Sequence, residues 1–452
     1  MRFPRIMLLW ICVCAELLGA RTAAAAEWLH EAEQGDTLWD LCLAHTNKPL
    51  CWVDLQKYNA IRNDRRIPVG TVIRVPADWL KEPFIVGGVL EANGEVTVSE
   101  LDSNDFGELA TEQPVYLGDH VRTGEGNAFL ELISGLMVML RPNSLMVLDS
   151  FSDATEAPIV ELSLEHGSME VGSADSEPAT GDAADLTVST QAAAAEIGGA
   201  ARINSGADGA RTLGESLRGD LNLNAQGNVV EVPAGYGASV TPGAAPSAPQ
   251  SLPAAPQFVS GFGNSFNPVV LAWGSDQSPA SAWHIDVYAA SSQRKLLQSE
   301  LVTASGITLD NLAIGCYTLA LRAVAAEGFQ GLEQRAPLCV FPSLAAPALR
   351  LVDKGSRKRD ARLTWDAVPH AVRYAVDVAE DADFTRIIEH QEVTATEYAI
   401  TLSKSAERHV RVRALNEVAM AGPISETVRL EQLSCSKVAP LTALAAMLLV
   451  LL

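Results

Sequence analysis

The N-terminal fold is decided by two short runs, GDTLWDL at Gly35–Leu41 and IPVGTVIRVP at Ile67–Pro76. In the first run, Asp36 stands directly before an apolar helical pattern, so its carboxylate is predicted to cap the first turn of a helix. Between the runs, apolar residues recur at helical spacing over Trp52–Tyr58, and Asn59 ends this pattern. A Pro and a Gly in the second run predict a turn before a last strand. The predicted order is therefore strand, helix, helix, strand.

These residues resemble the LysM module, a βααβ unit that binds the N-acetylglucosamine backbone of peptidoglycan and chitin. The resemblance covers Glu27–Leu80 and rests on both runs and on YNAI at Tyr58–Ile61, which follow in family order and at family spacing. In that family the sugar lies in a shallow groove between the loop after the first strand and the loop before the last. The resemblance implies a glycan-binding groove formed here by Gly35, Asp36, Thr37, Leu38, Asn59, Ile61, Pro68 and Gly70. Several of these residue types also suit caps, turns or core positions, so the alternative is a purely structural role.

The first 26 residues have the composition of a secretory signal peptide. Two arginines precede an apolar run, Ile6–Leu18, and a small-residue segment, Thr22–Ala26, follows it. We therefore expect residues 1–26 to be removed on export, which places the mature protein in the periplasm or cell envelope. Cys14 is not preceded by the small residues that lipidation needs, so no lipid anchor is predicted there.

Four cysteines are candidates for two disulfide bonds, which an oxidising compartment permits. Cys42 and Cys51 lie in or beside the two predicted helices, where a bond would staple the helical hairpin. Cys316 and Cys339 flank a turn near Gly328 at nearly equal distances, as facing positions on two antiparallel strands would. The alternative is two pairs of buried free thiols. For the first pair the sequence favours neither.

Negative charge is concentrated in residues 81–245. The formal net charge of the chain is −22, and this segment holds 26 Asp and Glu against 6 Lys and Arg, a balance of 6 − 26 = −20. Because such a surface repels phosphate, no nucleic-acid partner is predicted. The acidic turn Asp102–Asp105 lacks the spacing of a calcium loop, so no metal site is expected.

Residues 84–240 alternate short apolar bursts with Gly, Asn and Asp, which predicts strands and hairpins. GDHVRTG at Gly118–Gly124 and the strand closed by PNS at Pro142–Ser144 resemble the FecR domain, with Ser134 where that family usually has Asp. The resemblance implies a β-rich domain. Founding members of the family relay signals from outer-membrane receptors to sigma factors, but they have a cytoplasmic segment where this chain has a signal peptide. We therefore expect a structural or protein-binding role.

An internal repeat follows a linker-like segment, residues 241–256, that is rich in Pro, Ala, Gly and Ser. At an offset of about 91 residues, the size of one β-sandwich domain, Val270–Trp273 recurs as Leu363–Trp365, Trp283–Val287 as Tyr374–Val378, and Tyr317–Ala323 as His409–Ala414. The two copies, residues 257–342 and 345–432, resemble fibronectin type III domains with a Trp on an early strand. In the second copy His409 replaces a Tyr that these domains usually have. The resemblance implies two sandwiches that act as spacers or protein-docking modules.

Residues 438–452 form a continuous apolar run. The run is shorter than the roughly 20 residues that span a bilayer. Because a free end this apolar is unfavourable in water, we expect it to associate with a membrane as a C-terminal anchor. The alternative is a sorting tail that is removed after export.

The chain has none of the common catalytic motifs, such as HExxH, GxSxG or a P-loop, so neither an enzyme nor a cofactor is predicted. The predicted fold class is mainly β and multidomain, with a small βααβ domain, a FecR-like β domain and two β-sandwiches. The predicted function is a non-enzymatic envelope protein that binds peptidoglycan, with the other domains as a scaffold or as docking modules for an unknown envelope protein. The alternatives are an envelope-sensing signalling component related to FecR-type transducers and a glycan hydrolase.

Overall fold

The computed structural model describes residues 26–48, 50–152, 158–173, 185–206, 209–274, 280–292, 295–354, 360–401 and 407–431. The predicted signal peptide with Cys14 and the predicted C-terminal anchor therefore lie outside the described residues. Within the described ranges the chain is mainly β, with many strands and two short α-helices, which confirms the predicted fold class.

The chain divides into two compact units. The first holds the described residues up to Ala255, between Gln277 and Leu301, and between Leu321 and Glu333. The second holds those in Pro256–Asp276 and Val302–Ala320 and those from Gln334 onward.

The N-terminal segment forms the predicted strand-helix-helix-strand unit. Its elements are β1 (Glu27–Glu31), α1 (Leu38–His45), α2 (Trp52–Tyr58) and β2 (Val72–Pro76), followed by one 3₁₀ turn, Ala77–Trp79. β1 and β2 pair in antiparallel register. Leu38, Leu55 and Ile73 are at most 1% exposed and lie in the core, so the apolar positions that predicted the helices are the ones that pack.

The first helix is capped by Thr37, and the prediction that Asp36 would be its cap is wrong. Thr37 has an extended backbone, φ −130°, and its hydroxyl accepts a hydrogen bond from the Asp40 amide at 3.1 Å. Asp36 does not cap the helix because its carboxylate turns back toward the preceding loop. There it accepts a hydrogen bond from the Glu33 amide at 2.8 Å and contacts the His30 ring.

The acidic region folds into a two-sheet β domain. Its strands are β3 (Ile85–Asn93), β4 (Val96–Ser99), β5 (Gly107–Glu108), β6 (Pro114–Tyr116), β7 (His120–Thr123), β8 (Asn127–Leu132), β9 (Leu136–Leu140), β10 (Leu145–Ser152), β11 (Ile159–Ser173), β12 (Asp185–Ser189), β13 (Ala194–Ile197), β14 (Ala200–Ser205), β15 (Thr212–Arg218), β16 (Leu221–Ala225), β17 (Asn228–Val232), β18 (Tyr236–Val240) and β19 (Gln250–Ser251). One sheet has the order β5-β4-β7-β10-β11-β12-β13-β16-β17. The other has the order β6-β3-β8-β9-β11-β14-β15-β18-β19. β19 lies within the segment predicted to be a linker.

β11 belongs to both sheets and passes from one to the other at Gly167. This residue has φ +93°, which favours glycine. A Cβ at this position would lie 2.5 Å from the Cα of Ser144, so any side chain would collide with the neighbouring turn. Gly167 therefore allows one strand to hold the two sheets together.

The small N-terminal unit is joined to the β domain by main-chain pairing. β1 runs parallel to the end of β10, with Glu27 opposite Ser150 and Leu29 opposite Ser152. Aromatic contacts reinforce this junction, because Phe84 lies between Trp28 and Phe151 at ring-centroid distances of 6.2 and 6.0 Å. The N-terminal unit and the β domain thus share one sheet within the first unit.

The remaining strands belong to the two repeats. The first repeat contributes β20 (Gln257–Ser260), β21 (Gly263–Phe266), β22 (Val269–Gly274), β23 (Ala282–Ala289), β24 (Leu296–Val302), β25 (Gly306–Leu309), β26 (Gly315–Val324) and β27 (Gln330–Phe341). The second contributes β28 (Arg350–Asp353), β29 (Ala361–Thr364), β30 (Arg373–Ala379), β31 (Ile387–Val393), β32 (Glu397–Ile400), β33 (Glu407–Leu415), β34 (Ala421–Ile424) and β35 (Val428–Glu431). Trp273 and Trp365, the two repeated tryptophans, are 3% and 4% exposed.

Two disulfide bonds are present among the described residues. One joins Cys42 in α1 to Cys51, the residue before α2, with a Cα–Cα distance of 5.7 Å. The other joins Cys316 in β26 to Cys339 in β27. No helix in the described part of the chain is long and apolar enough to cross a membrane.

Candidate functional site

Two loops of the N-terminal unit lie side by side, one after β1 and one before β2. The Ala32 amide donates to the Thr71 carbonyl and the Gly70 amide donates to the Ala32 carbonyl, each at 2.9 Å. The hydroxyl of Thr71 donates to the carbonyl of Pro68 at 2.7 Å and closes the second loop. Gly35 and Gly70 have φ values of +106° and +83° and are exposed, so each loop bends at a position that favours glycine. Five of the eight predicted groove residues lie in these loops, namely Gly35, Asp36, Thr37, Pro68 and Gly70.

Asp36 stabilises the first loop through its carboxylate. The hydrogen bond from the Glu33 amide, aided by His30 at 2.9 Å, lowers the pKa of Asp36 below its ordinary value. The carboxylate is therefore ionised at neutral pH and holds the loop in one conformation. These contacts fix the position of the neighbouring backbone in the first loop.

The other three predicted groove residues are Leu38, Asn59 and Ile61, and each makes contacts that support the fold. Leu38 is completely buried. Asn59 uses its side-chain amide to tie α2 to β2, since it accepts from the Arg74 amide at 2.7 Å and donates to the carbonyls of Leu55 and Arg74 at 3.0 and 2.9 Å. Ile61 is partly buried against the core. These three residues therefore stabilise the unit that carries the loops.

Val69 is an exposed residue in the second loop that the sequence interpretation did not select. It lies between Pro68 and Gly70, and 68% of its surface is accessible. An apolar side chain at the tip of a loop suits contact with the apolar face of a sugar ring. The signal was present in the sequence as an aliphatic residue inside a Pro-x-Gly turn, where a polar residue is usual.

A buried cluster of charges lies elsewhere in the first unit, between the β domain and strands of the first repeat. The Arg141 guanidinium donates to both carboxylate oxygens of Asp286 at 2.7 and 2.8 Å, and Arg322 pairs with Asp286 as well. Arg322 also contacts Glu170 at 2.7 Å. Asp286 and Arg322 are completely buried, and burial would raise the pKa of Asp286, but the two arginines outweigh burial and hold that pKa below its usual range.

The cluster continues through Arg202, which contacts Glu215 at 2.5 Å and Glu170 at 3.2 Å. The Glu215 carboxylate also accepts a hydrogen bond from the Gln330 amide at 2.5 Å. These charges are paired with each other, so the cluster joins the strands that carry them. Its members are far apart in the sequence, so no local pattern predicted it.

No group of three or more His, Cys, Asp or Glu side chains is placed to hold a metal ion in the part of the chain that the structure describes.

A family model for the LysM domain matches residues 30–76, which confirms the resemblance of the N-terminal unit. No curated protein matches the chain in sequence. Among solved structures, one is a protein assigned as an anti-sigma factor from Parabacteroides distasonis. The similarity covers 29% of this chain and 59% of that protein, at 12% identity and a TM-score of 0.24. A two-domain fibronectin type III segment of chicken tenascin is similar to 40% of the chain over its whole length, at 12% identity and a TM-score of 0.24. Fibronectin(III)-like modules of Clostridium thermocellum CbhA are similar to 40% of the chain over 90% of their length, at 16% identity and a TM-score of 0.24.

Proposed function

We propose that the protein is a non-enzymatic component of the cell envelope that holds N-acetylglucosamine-containing glycan, above all peptidoglycan, through its N-terminal unit. The observation that carries this proposal is the coincidence of the LysM match at residues 30–76 with two adjoining, glycine-bent loops. In this proposal the backbone groups of the loops hydrogen-bond the acetamide, and the exposed Val69 covers a ring face.

Binding by one such unit is weak to moderate. A shallow surface buries little area, and each polar contact replaces a hydrogen bond to water. Retention on a glycan layer then depends on the high local density of sugar, because a released protein meets another strand at once.

The other domains serve as scaffold and docking modules in this proposal. We assign residues 84–240 to a FecR-like β domain and residues 257–342 and 345–432 to two fibronectin type III-like domains, which present the protein to an envelope partner. Export by residues 1–26 and membrane association through residues 438–452 belong to the same proposal and concern segments outside the described residues.

Co-sedimentation with purified sacculi tests the proposal. Val69→Asp places a charge where a ring face is proposed to lie, and it is expected to raise the apparent Kd for sacculi about tenfold, equivalent to a loss of about 1.4 kcal/mol of binding free energy. Val229→Asp is the matched control, because Val229 is also an exposed valine, at 59%, but lies on β17 of the β domain. Equal binding by wild type and both variants would overturn the assignment of the groove, and no binding by wild type would overturn the proposed function.

A further inference from the structure

A cleft of about 1190 Å³ lies in the first unit between strand β24 and turns of the β domain. One wall consists of all the residues from Leu296 to Leu301. The opposite wall includes Asn93–Glu95, Glu125 and Pro142–Asn143.

The wall formed by β24 is the edge of a strand and not one of its faces. Successive side chains of a strand point to opposite faces, so a cavity that is lined by consecutive residues over Leu296–Leu301 faces the backbone. Within the described residues β24 pairs with β23 and is the last strand of its sheet. Such an edge presents unpaired N–H and C=O groups, and the Asn93 side chain already donates to the first of these carbonyls, that of Leu296.

Buried polar atoms without a protein partner line the same cleft. Among the described residues, neither the hydroxyl of Ser168 nor the side-chain oxygen of Gln330 has a hydrogen-bond partner. An unpaired buried acceptor is unfavourable, and Gln330 Oε1 can only accept. A ligand that donates hydrogen bonds would satisfy both atoms.

The charge of the cleft favours a basic occupant. Its lining includes the carboxylates of Glu95, Glu125 and Glu300 and the guanidinium of Arg141, a balance of 1 − 3 = −2. The guanidinium is already neutralised by Asp286. The three glutamates are exposed at the cleft, where a cation would reach them.

We propose that this cleft binds an extended, lysine- or arginine-containing segment of a partner protein, which adds to β24 as a further strand. Main-chain hydrogen bonds to the edge supply the affinity, and the basic side chains reach the glutamates and the buried acceptors. This function is separate from glycan binding, because the cleft shares no residue with the loops of the N-terminal unit.

The test uses the full chain and a fluorescein-labelled peptide of alternating lysine and threonine, long enough to match Leu296–Leu301. Fluorescence anisotropy is expected to show saturable binding. A peptide of alternating lysine and proline has the same charge but cannot form a strand, so it is expected to bind about tenfold more weakly. A peptide of alternating glutamate and threonine is expected not to bind. Equal binding of the lysine-threonine and lysine-proline peptides would mean that only charge is recognised and would overturn the proposal.

Two variants and hydrogen exchange locate the peptide. Glu300→Lys is expected to weaken binding by about tenfold, whereas the matched control Glu231→Lys, an exposed glutamate on β17, leaves it unchanged. The peptide is expected to slow amide exchange at Leu296–Leu301 but not at Ile387–Val393, the corresponding edge strand of the second repeat. Equal slowing at both strands, or no saturable binding, would contradict the proposal. Binding to sacculi is expected to be the same for Glu300→Lys and wild type. The proposed peptide binding and the proposed glycan binding can therefore be contradicted separately.

Discussion

At the scale of single residues, Asp286 and Asp377 show how the same repeat position acquires two different energetic roles. Each is the aspartate that directly follows one of the two matched runs, Trp283–Ile285 and Tyr374–Val376. Asp286 is completely buried between Arg141 and Arg322, whereas Asp377 pairs with His390, whose side chain is 59% exposed. Water therefore competes for the partners of Asp377 and not for those of Asp286.

The replacement Asp286→Asn is expected to destabilise the first unit by about 3–5 kcal/mol, because it leaves the buried Arg141 guanidinium without its counter-charge and removes one of the carboxylates that pair with Arg322. The matched replacement Asp377→Asn is expected to cost about 1–2 kcal/mol. Urea unfolding followed by hydrogen exchange separates the two units and measures both values. A larger loss for Asp377→Asn would contradict this account of the buried cluster.

The pH dependence of the same variant gives a second readout. The pKa of Asp286 is lowered in the folded protein, so its stabilising contribution is complete at neutral pH and is lost as the pH falls below the usual range of an aspartate. Wild type is therefore expected to lose more stability on acidification than Asp286→Asn. Parallel curves of the free energy of unfolding against pH would contradict the assignment.

The sequence predicted the candidate groove in part. Five of its eight residues come together because both loops adjoin one hairpin, and their order along the chain already implied that. Asp36 and Thr37 are both good N-cap residue types, so the sequence alone did not decide between them. The structure does, because the Asp36 carboxylate accepts a hydrogen bond from the Glu33 amide and the Thr37 hydroxyl accepts one from the Asp40 amide. Asn59 was also predicted to line the groove, and the sequence did not show that its side-chain amide is hydrogen-bonded to the backbone of Leu55 and Arg74.

At the scale of elements, the two helices are joined by the disulfide bond between Cys42 and Cys51. α1 and α2 contain 8 and 7 residues, and helices this short are not stable alone in water. The bond closes a short loop at the point where the two helices meet and so restricts the unfolded chain.

The double replacement Cys42→Ala/Cys51→Ala is expected to cost about 2–3 kcal/mol in the stability of the N-terminal unit, from the entropy of a loop of this length. Hydrogen exchange is expected to accelerate in α1 and α2. The control Cys316→Ala/Cys339→Ala removes the other bond and is expected to leave exchange in α1 unchanged. Unaltered exchange in α1 and α2 of the first variant would show that packing alone holds the hairpin.

Local periodicity predicted the helices and many strands, but it did not predict how distant strands pair. The parallel pairing of β1 with β10 joins residues more than a hundred positions apart, and neither strand contains a local signal for its partner. The sequence also did not predict that β11 belongs to both sheets. Gly167 resembles any turn glycine in the sequence, and only the structure shows that Ser144 packs against it. Long-range register follows from the whole core and not from any one window.

At the scale of the whole molecule, the pairing of β1 with β10 means that the N-terminal unit is joined to the β domain by a shared sheet as well as by the chain between them. Trp28 and Phe151 are 4% and 3% exposed, and both contact Phe84 at this junction. The two loops of the N-terminal unit therefore adjoin a hairpin that is continuous with a sheet of the β domain.

Truncation to a chain that begins at Phe84 is thus expected to destabilise the β domain as well as remove the two loops of the N-terminal unit. It exposes Phe151 and the edge of β10, and the lost aromatic burial is expected to cost about 2–3 kcal/mol. Hydrogen exchange at Ser150–Ser152 is expected to accelerate, and the bare strand edge is expected to promote self-association in sedimentation velocity. Val69→Asp keeps β1 and is expected to show neither effect. If the truncated protein stays monomeric with unchanged exchange, the two domains are independent, and the coupling inferred from the shared sheet is wrong.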